Sequence, residues 1–430
     1  MSKLVYIIAG EPSGDILASR LMQALMQRVP DLRFTGVGGE TMQALGFKTL
    51  FPIAELSVMG FWEVAPRLPL ILRRMKQVMT DLEQQQPDVL VTVDSWGFVR
   101  AILKKVRKRK MKIHTVHYVA PQVWAWKKSR APKAAKLMDR MMTLWPYEPP
   151  YFEKYGLRCD FVGHPVIENI TCESEKSPAL SIESPALSTE SPALSIESPA
   201  LPAESPALPA ESLSRQDTSA DLAQLKALYP IPHDCTLLCL LPGSRHSEVK
   251  RLIPIFKKVA ANLHPHFPDL FVAIPSVDAI AKEVEDAFAD LSIPHCLILG
   301  QRDRYLTFRA CRFAVAASGS VTLELAACGA PHLIVYRFSS ITNFVVKRLI
   351  TTKYANLINI LANRYVIPEF VLDNCRADLI TTKTLHYLRH PEAAQEQVAQ
   401  AKTYFAQLKP DGMTPSEKAA SVVLDVMAKM

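Results

Sequence analysis

The 430-residue chain is long enough for two or three domains with full cores, and with hydrophobic residues at 49% it is globular rather than disordered. Fifty Lys and Arg against 42 Asp and Glu leave a net charge of +8, which favours an anionic partner such as nucleic acid, a lipid surface or a phosphorylated small molecule. The eight cysteines form no C-x-x-C pair, so neither a zinc site nor a disulfide framework is suggested, and no run of 18 apolar residues is present to span a bilayer.

In chain order, LVYIIA (4 to 9) reads as a first β-strand. It follows a single Lys and leads straight into the acidic GEPSGD, which argues against a signal peptide; with the scattered thiols, a reducing cytoplasm fits best. The loop Gly10-Glu-Pro-Ser-Gly-Asp15 joins that strand to a helix, ILASRLMQALMQRV. Its glycines would let backbone N–H groups approach a ligand at the helix N-terminus, with Glu11, Ser13, Gly14 and Asp15 as the candidates. The ordinary alternative is a tight turn with Ser13 as cap. The loop is not G-x-G-x-x-G, so the dinucleotide fingerprint is missing, and Glu40 after Gly36-Val-Gly-Gly39 does not replace it.

Residues 58 to 79 carry Met59, Phe61, Trp62, Leu68, Leu70, Ile71, Leu72 and Met75 beside Arg67, Arg73, Arg74 and Lys76. That mixture suits a helix lying in a lipid interface or gripping acyl chains, although a core helix shortened by its two prolines is the plainer reading. The strand VLVTVD (89 to 94) ends on Asp94, which is either a helix cap or a carboxylate facing substrate. The basic run 103 to 112 offers a patch for anionic headgroups or RNA, or simply a solvated helix end. Strands IHTVHYV (113 to 119) and RMMTLW (140 to 145) follow.

From 177 to 211 five heptads of the SPALSIE type succeed one another, with Pro in every repeat. Proline removes a backbone donor and clashes with the preceding turn, so a coiled coil is excluded and the expectation is a surface spacer without chemistry. Beyond it strands at 236 to 242, 270 to 276, 296 to 300, 313 to 318 and 332 to 337 again alternate with helical stretches. Both halves therefore predict an α/β class with doubly wound parallel sheets, whose ligands bind beyond the carboxyl ends of the strands.

Two loops of the second half suit an anion. Gly243, Ser244 and Arg245 precede a helix, where N–H groups, helix dipole and guanidinium all favour phosphate; a capping box of Ser244 with Glu248 is the alternative, one residue too long. Ser318, Gly319, Ser320 and Val321 repeat the arrangement, and Glu324 lies one turn on, placed to accept hydrogen bonds from ribose hydroxyls or to pair with an Arg. There is no D-x-D, no H-E-x-x-H and no Cys/His cluster, so no metal and no other cofactor is indicated.

Taken in order, AGEPSGD, VMGFWEV, the aspartate after VLVTV, HYVAPQVWAW, FVGHP, LLPGSR, ASGSVTLE and YANLINILANR resemble the bacterial lipid-A-disaccharide synthases over nearly all of 1 to 170 and 222 to 425. The resemblance implies the GT-B architecture: two Rossmann-like domains with an interdomain cleft and a C-terminal helix crossing back to the first. It divides the chain into an acceptor and lipid domain (1–170), the Pro-rich spacer (171–221), a UDP-sugar domain (222–395) and returning helices (396–430). It implies a peripheral enzyme on the inner face of the bacterial inner membrane, with an anionic lipid surface and a homodimer among its associations and nucleic acid not among them. The reaction implied is inverting transfer from UDP-2,3-diacylglucosamine to the 6-hydroxyl of 2,3-diacylglucosamine 1-phosphate. Asp94 matches the family's implicated base, and Asn359 matches a position near the nucleotide. One departure bears on mechanism: the family commonly has a second acid three residues after the first, and this chain has Gly97. Another UDP-sugar transferase or an epimerase, or a non-catalytic nucleotide- or lipid-binding protein, are the rival readings.

Overall fold

The computed structural model describes residues 3–56, 61–124, 129–175, 218–337 and 353–428; the heptad repeat and Met59 lie outside them. The chain divides into two compact units, Met1–Asn169 with Gln407–Met430, and Ile170–Ala406.

The first unit is built on a six-stranded sheet of order β2-β1-β3-β4-β5-β6, every pair parallel. The strands are β1 (Leu4–Ala9), β2 (Arg33–Val37), β3 (Val89–Val93), β4 (His114–Tyr118), β5 (Arg140–Thr143) and β6 (Arg158–Phe161). β1 and β3 are buried along their whole length, as a parallel sheet covered by helices on both faces requires. β6, RCDF, carries no apolar run and escaped the sequence reading; as the edge strand it needs only one covered face.

The helix Phe61–Gln85 runs through Pro66 and Pro69, which were expected to shorten it. Each proline removes one N–H from the ladder, and the later face of Met75, Val78, Met79 and Leu82 is buried firmly enough to carry the helix.

The second unit repeats the plan with β7 (Thr236–Leu241), β8 (Leu270–Pro275), β9 (His295–Ile298), β10 (Phe313–Ala317), β11 (His332–Tyr336) and β12 (Glu369–Val371) in the parallel order β12-β11-β10-β7-β8-β9. β12 is a three-residue edge strand, again without a periodic signal.

The return to the first unit comes at Gln407, not at 396. The helix Pro391–Ala406 stays with the second unit, where the Gln397 side-chain oxygen accepts the His332 N–H at 2.8 Å. Leu408, whose carbonyl accepts the His164 N–H at 3.0 Å, and then the helix Pro415–Ala428 dock on the first unit. There Lys3 Nζ donates to the Met427 carbonyl at 2.7 Å, the Ser416 N–H and hydroxyl donate to Glu168 at 2.6 Å, and buried Arg140 bridges Asp160 and Asp425.

Candidate functional site: two switch-point crevices

Each sheet reverses its winding at one place, between β1 and β3 in the first and between β7 and β10 in the second. Loops leave such a point in opposite directions and open a crevice beyond the strand ends, where α/β sheets bind ligands.

In the first unit the crevice is bounded by the loops after β1 and β3. They touch: a Cβ on Gly10 would lie 2.5 Å from Ser95 Oγ, so only glycine fits. Asp94 (φ 50°) and Ser95 (φ 46°) are consecutive left-handed residues, a conformation that costs an L-residue about 1–2 kcal/mol each. The Asp94 N–H donates to the Tyr118 carbonyl at 2.9 Å, extending the β3–β4 ladder to the last possible residue before the helix Trp96–Lys108 begins. This sharp turn leaves the Asp94 carboxyl half-buried at the crevice. Burial pushes it above the ordinary carboxylate range, with the Ser95 N–H pulling the other way. Asp94 is therefore not the cap of the following helix, which has no side-chain cap.

Behind it stands a buried histidine. His117 Nδ1 is 2.9 Å from Thr92 Oγ1, its ring lies 5.6 Å from that of Trp96, and burial holds its pKa down at about 4.

The other residues expected at this crevice have structural work. Asp15 Oδ1 accepts the Gly39 N–H (2.7 Å) and the Met42 N–H (3.3 Å), and Oδ2 accepts the Thr41 N–H (2.9 Å) and hydroxyl (2.6 Å). It caps a neighbouring short helix, Glu40–Gln43, from across the fold, which removes it from the acceptor contacts. Gly14 is buried where the helix Pro12–Arg28 meets the sheet: an added Cβ would lie 3.4 Å from the Val93 carbonyl oxygen, in van der Waals contact. Ser13 is not the cap either: Glu11 holds that position in extended conformation, without a side-chain cap bond.

In the second unit the crevice is a cavity of about 610 Å³ open to solvent, lined by the loops after β7, β8 and β10, including Gly243, Ser244, Ser318, Gly319, Ser320 and Val321. The helix His246–Leu263 has Arg245, not Ser244, at its N-cap, so Glu248 falls at the third helical position, where a capping box places its carboxylate. Its carboxylate lies over Gly243 (φ 108°), where an added Cβ would meet Glu248 Oε2 at 2.5 Å. Burial pushes the Glu248 carboxyl up, opposed by Arg245 and by the Ser244 and Arg245 N–H groups. Arg245 reaches Glu248 at 3.4 Å and stays about a third exposed, a weak pairing that leaves the guanidinium available to an incoming anion. On the far wall Ser318 donates to the Ala355 carbonyl at 3.4 Å.

Glu324 lines the same cavity, and it does pair with an arginine: Arg304 Nη2 is 3.2 Å from Glu324 Oε2. Arg304 escaped the sequence reading, although it opens a helix directly beyond β9, the place where such a sheet presents ligand groups.

Asn359, expected beside the nucleotide, is fully buried. Its Oδ1 accepts the Val366 and Ile367 N–H groups at 2.8 Å, and its Nδ2 donates to the Ile367 carbonyl and to Glu369 at 2.7 Å. With every polar position of the amide engaged, it has nothing left for a ligand. Glu369, which Nδ2 meets, also accepts the Ala355 N–H at 2.9 Å and the Asn356 N–H at 2.8 Å, so the influence of Asn359 on the cavity runs through Glu369 and Ala355 to Ser318.

Among known proteins, residues 5–194 and 212–423 match the family model for lipid-A-disaccharide synthetase. The lipid-A-disaccharide synthase of Paramagnetospirillum magneticum is 39% identical over 425 residues, covering 98% of this chain and 97% of that one. The chain belongs to the lipid-A-disaccharide synthase family. Its reaction class is accordingly glycosyl transfer in lipid A biosynthesis. Family members from Rhodospirillum centenum (35% identity; 99% of this chain, 95% of that one) and Rickettsia bellii (32%; 94% of each) align over similar spans. Among solved structures, the S. aureus MnaA–UDP co-structure (TM-score 0.58, 12% identity, 100% of this chain and 98% of that one) and Acinetobacter baumannii MurG (0.51, 12%, 100% of each) share the fold. Two Rossmann-like sheets of the GT-B class are common to them.

Two family features read differently in the structure. Of the apolar patch, Met75 belongs to the core and Ile71 packs against it, Leu70 is half-buried, and Leu68 and Leu72 are exposed, 49% and 53%, one turn apart beside exposed Arg67, Arg73 and Lys76. Arg74 is engaged by Glu55 at 2.6 Å, and the Phe61 and Trp62 side chains lie outside the described residues. At the position of the missing second acid, a Cβ on Gly97 would meet nothing within 4 Å, so the helix has room for a side chain it does not carry.

Proposed function

We propose that the protein joins UDP-2,3-diacylglucosamine to 2,3-diacylglucosamine 1-phosphate with inversion, releasing UDP. The observation that carries this is Asp94, a carboxylate raised above its ordinary pKa and held on a strained turn at the first sheet's switch point. Asp94 takes the proton of the acceptor 6-hydroxyl as that oxygen attacks C1 of the donor; the C1–O bond breaks, and its electron pair leaves with UDP. A raised pKa makes a stronger base, and the proton is removed late, when the attacking oxygen is most acidic. The second unit supplies the nucleotide site: backbone N–H groups and Arg245 for the diphosphate, Glu324 for the ribose.

The acyl chains call for an apolar surface, and Leu68 and Leu72 with their basic neighbours support a helix that rests on an anionic membrane face. Wild type and Asp94→Ala, incubated with the two acylated sugars, are expected to differ by about 10²-fold or more in disaccharide and UDP formed. No disaccharide from wild type would sink the reaction, and near-normal turnover by the variant would sink the base. Release of an isomerised UDP-sugar instead of disaccharide would favour an epimerase, as the UDP-GlcNAc 2-epimerase from Neisseria meningitidis, which shares the fold, is.

A further inference from the structure

Arg304 and Glu324 are the two buried charged side chains that face each other across the wall of the second unit's cavity. Their side chains are 14% and 10% exposed and 3.2 Å apart. The pairing is close but not aligned: Glu324 Oε2 accepts no hydrogen bond, and Arg304 Nε donates none, among the described residues. At 3.2 Å the guanidinium makes an ion pair without a hydrogen bond to Oε2, which leaves that acceptor open. Arg304 is also fixed from below, with its guanidinium carbon 5.5 Å from the Tyr305 ring centroid. A cation so enclosed has its charge directed at Glu324 and not at a solvent-facing anion.

We infer that Arg304 is a positioning residue for nucleotide recognition: it holds Glu324 ionised and aimed so that its carboxylate receives the paired hydroxyls of a ribose, and it does not bind the diphosphate. A cis-diol offers two O–H donors, and only an ionised carboxylate presents two acceptors to meet them, which is why the ionisation state matters. Other groups around Glu324 do not supply this. The Tyr305 phenol and the Cys328 thiol are both raised by burial with Glu324 adding to the rise, and Glu248 in the same cavity is a further carboxyl group. Burial raises the Glu324 carboxyl, and Arg304 is the counter-charge that opposes it.

The inference rests on the UDP-sugar reading, and one comparison separates the two. Calorimetric titration of the full chain with UDP and with 2′-deoxy-UDP at pH 7.5 measures the hydroxyl contribution as a ratio of affinities. For wild type a ratio of about tenfold or more is expected, the scale of one hydrogen bond to a charged acceptor. In Arg304→Met both ligands should weaken, UDP by the bonds of two hydroxyls and 2′-deoxy-UDP by that of its remaining 3′-hydroxyl, so the ratio collapses towards one. UDP binding by this variant should also weaken further as pH is lowered, because without Arg304 nothing opposes the rise that burial gives the Glu324 carboxyl. If Arg304 instead held the diphosphate, both ligands would weaken equally and the ratio would stay at the wild-type value, which overturns the inference and leaves the UDP-sugar reading intact. A wild type that binds UDP with no preference over the deoxy ligand also overturns it. A wild type that binds neither ligand sinks the UDP-sugar reading itself. Should R304M fail to fold, Arg304→Lys decides by the same ratio. A value between wild type and one supports the inference, and a wild-type ratio with both affinities reduced refutes it.

Discussion

Replacing Asp15 with Asn tests whether the acidic end of AGEPSGD serves the fold or the chemistry. The wild-type carboxylate accepts four hydrogen bonds, two per oxygen, from the Gly39, Thr41 and Met42 N–H groups and the Thr41 hydroxyl. An amide keeps one oxygen and turns an NH2 group towards the other pair of donors. The Thr41 hydroxyl can rotate to accept, but a backbone N–H cannot, so one or two charge-assisted bonds are lost in a buried place. At about 1.5–3 kcal/mol each, the expected destabilisation is about 3 kcal/mol. With an m-value of about 2 kcal/mol per molar urea, the midpoint of the first unit should fall by roughly 1.5 M. All five tryptophans lie in the first 169 residues, so fluorescence reports that unit. Gly39→Ala provides an independent check: its Cβ would lie 2.6 Å from Asp15 Oδ2 and displace the same carboxylate. The double variant should then be little worse than the poorer single one. A midpoint unchanged by Asp15→Asn, combined with a hundredfold loss of turnover, would refute the structural role and return Asp15 to the active site.

Three further outcomes follow from the same geometry. Asp94→Asn should abolish most disaccharide formation yet raise the urea midpoint at pH 7. A carboxyl whose folded pKa is raised destabilises the fold once pH climbs above its unfolded value near 4, and Asn adopts the left-handed turn readily; a lowered midpoint would contradict this. Asn359→Ala leaves the buried Val366 and Ile367 N–H groups without an acceptor and should cost about 3–5 kcal/mol, seen as faster hydrogen exchange over 354–367 together with weakened UDP binding; weakened binding with unchanged exchange would show a direct ligand contact instead. His117 and His164 are buried neutral, with pKa values held down at about 4 and about 3. The unfolded chain binds more protons below its histidine pKa near 6.5, so stability should fall as pH drops from there towards 4, at up to about 1.4 kcal/mol per pH unit for each ring; urea midpoints that stay level from pH 7 to 5 would rule this out.

The information legible in the sequence is local. Five-residue apolar runs ending in Gly, Ser or Asp marked the central strands and the loops after them, because a strand buried on both faces must be apolar throughout and must end where polar backbone meets solvent. That places Asp94, Ser244 and Ser318 at strand ends from the sequence alone. The family resemblance added the reaction, since its motifs are short and collinear. The tertiary structure alone decided which of these residues face a crevice. Asp15 meets Thr41 and Arg140 meets Asp425 across 26 and 285 residues of chain, distances over which no periodicity speaks. The edge strands Arg158–Phe161 and Glu369–Val371 carry no apolar alternation, because their place comes from the neighbour they pair with. Asn359 looked like a ligand contact until its four partners were in place, and nothing local singled out Arg304, which only the fold buries against Glu324. A polar residue's function depends on whether its hydrogen bonds are already taken, and only the folded chain answers that.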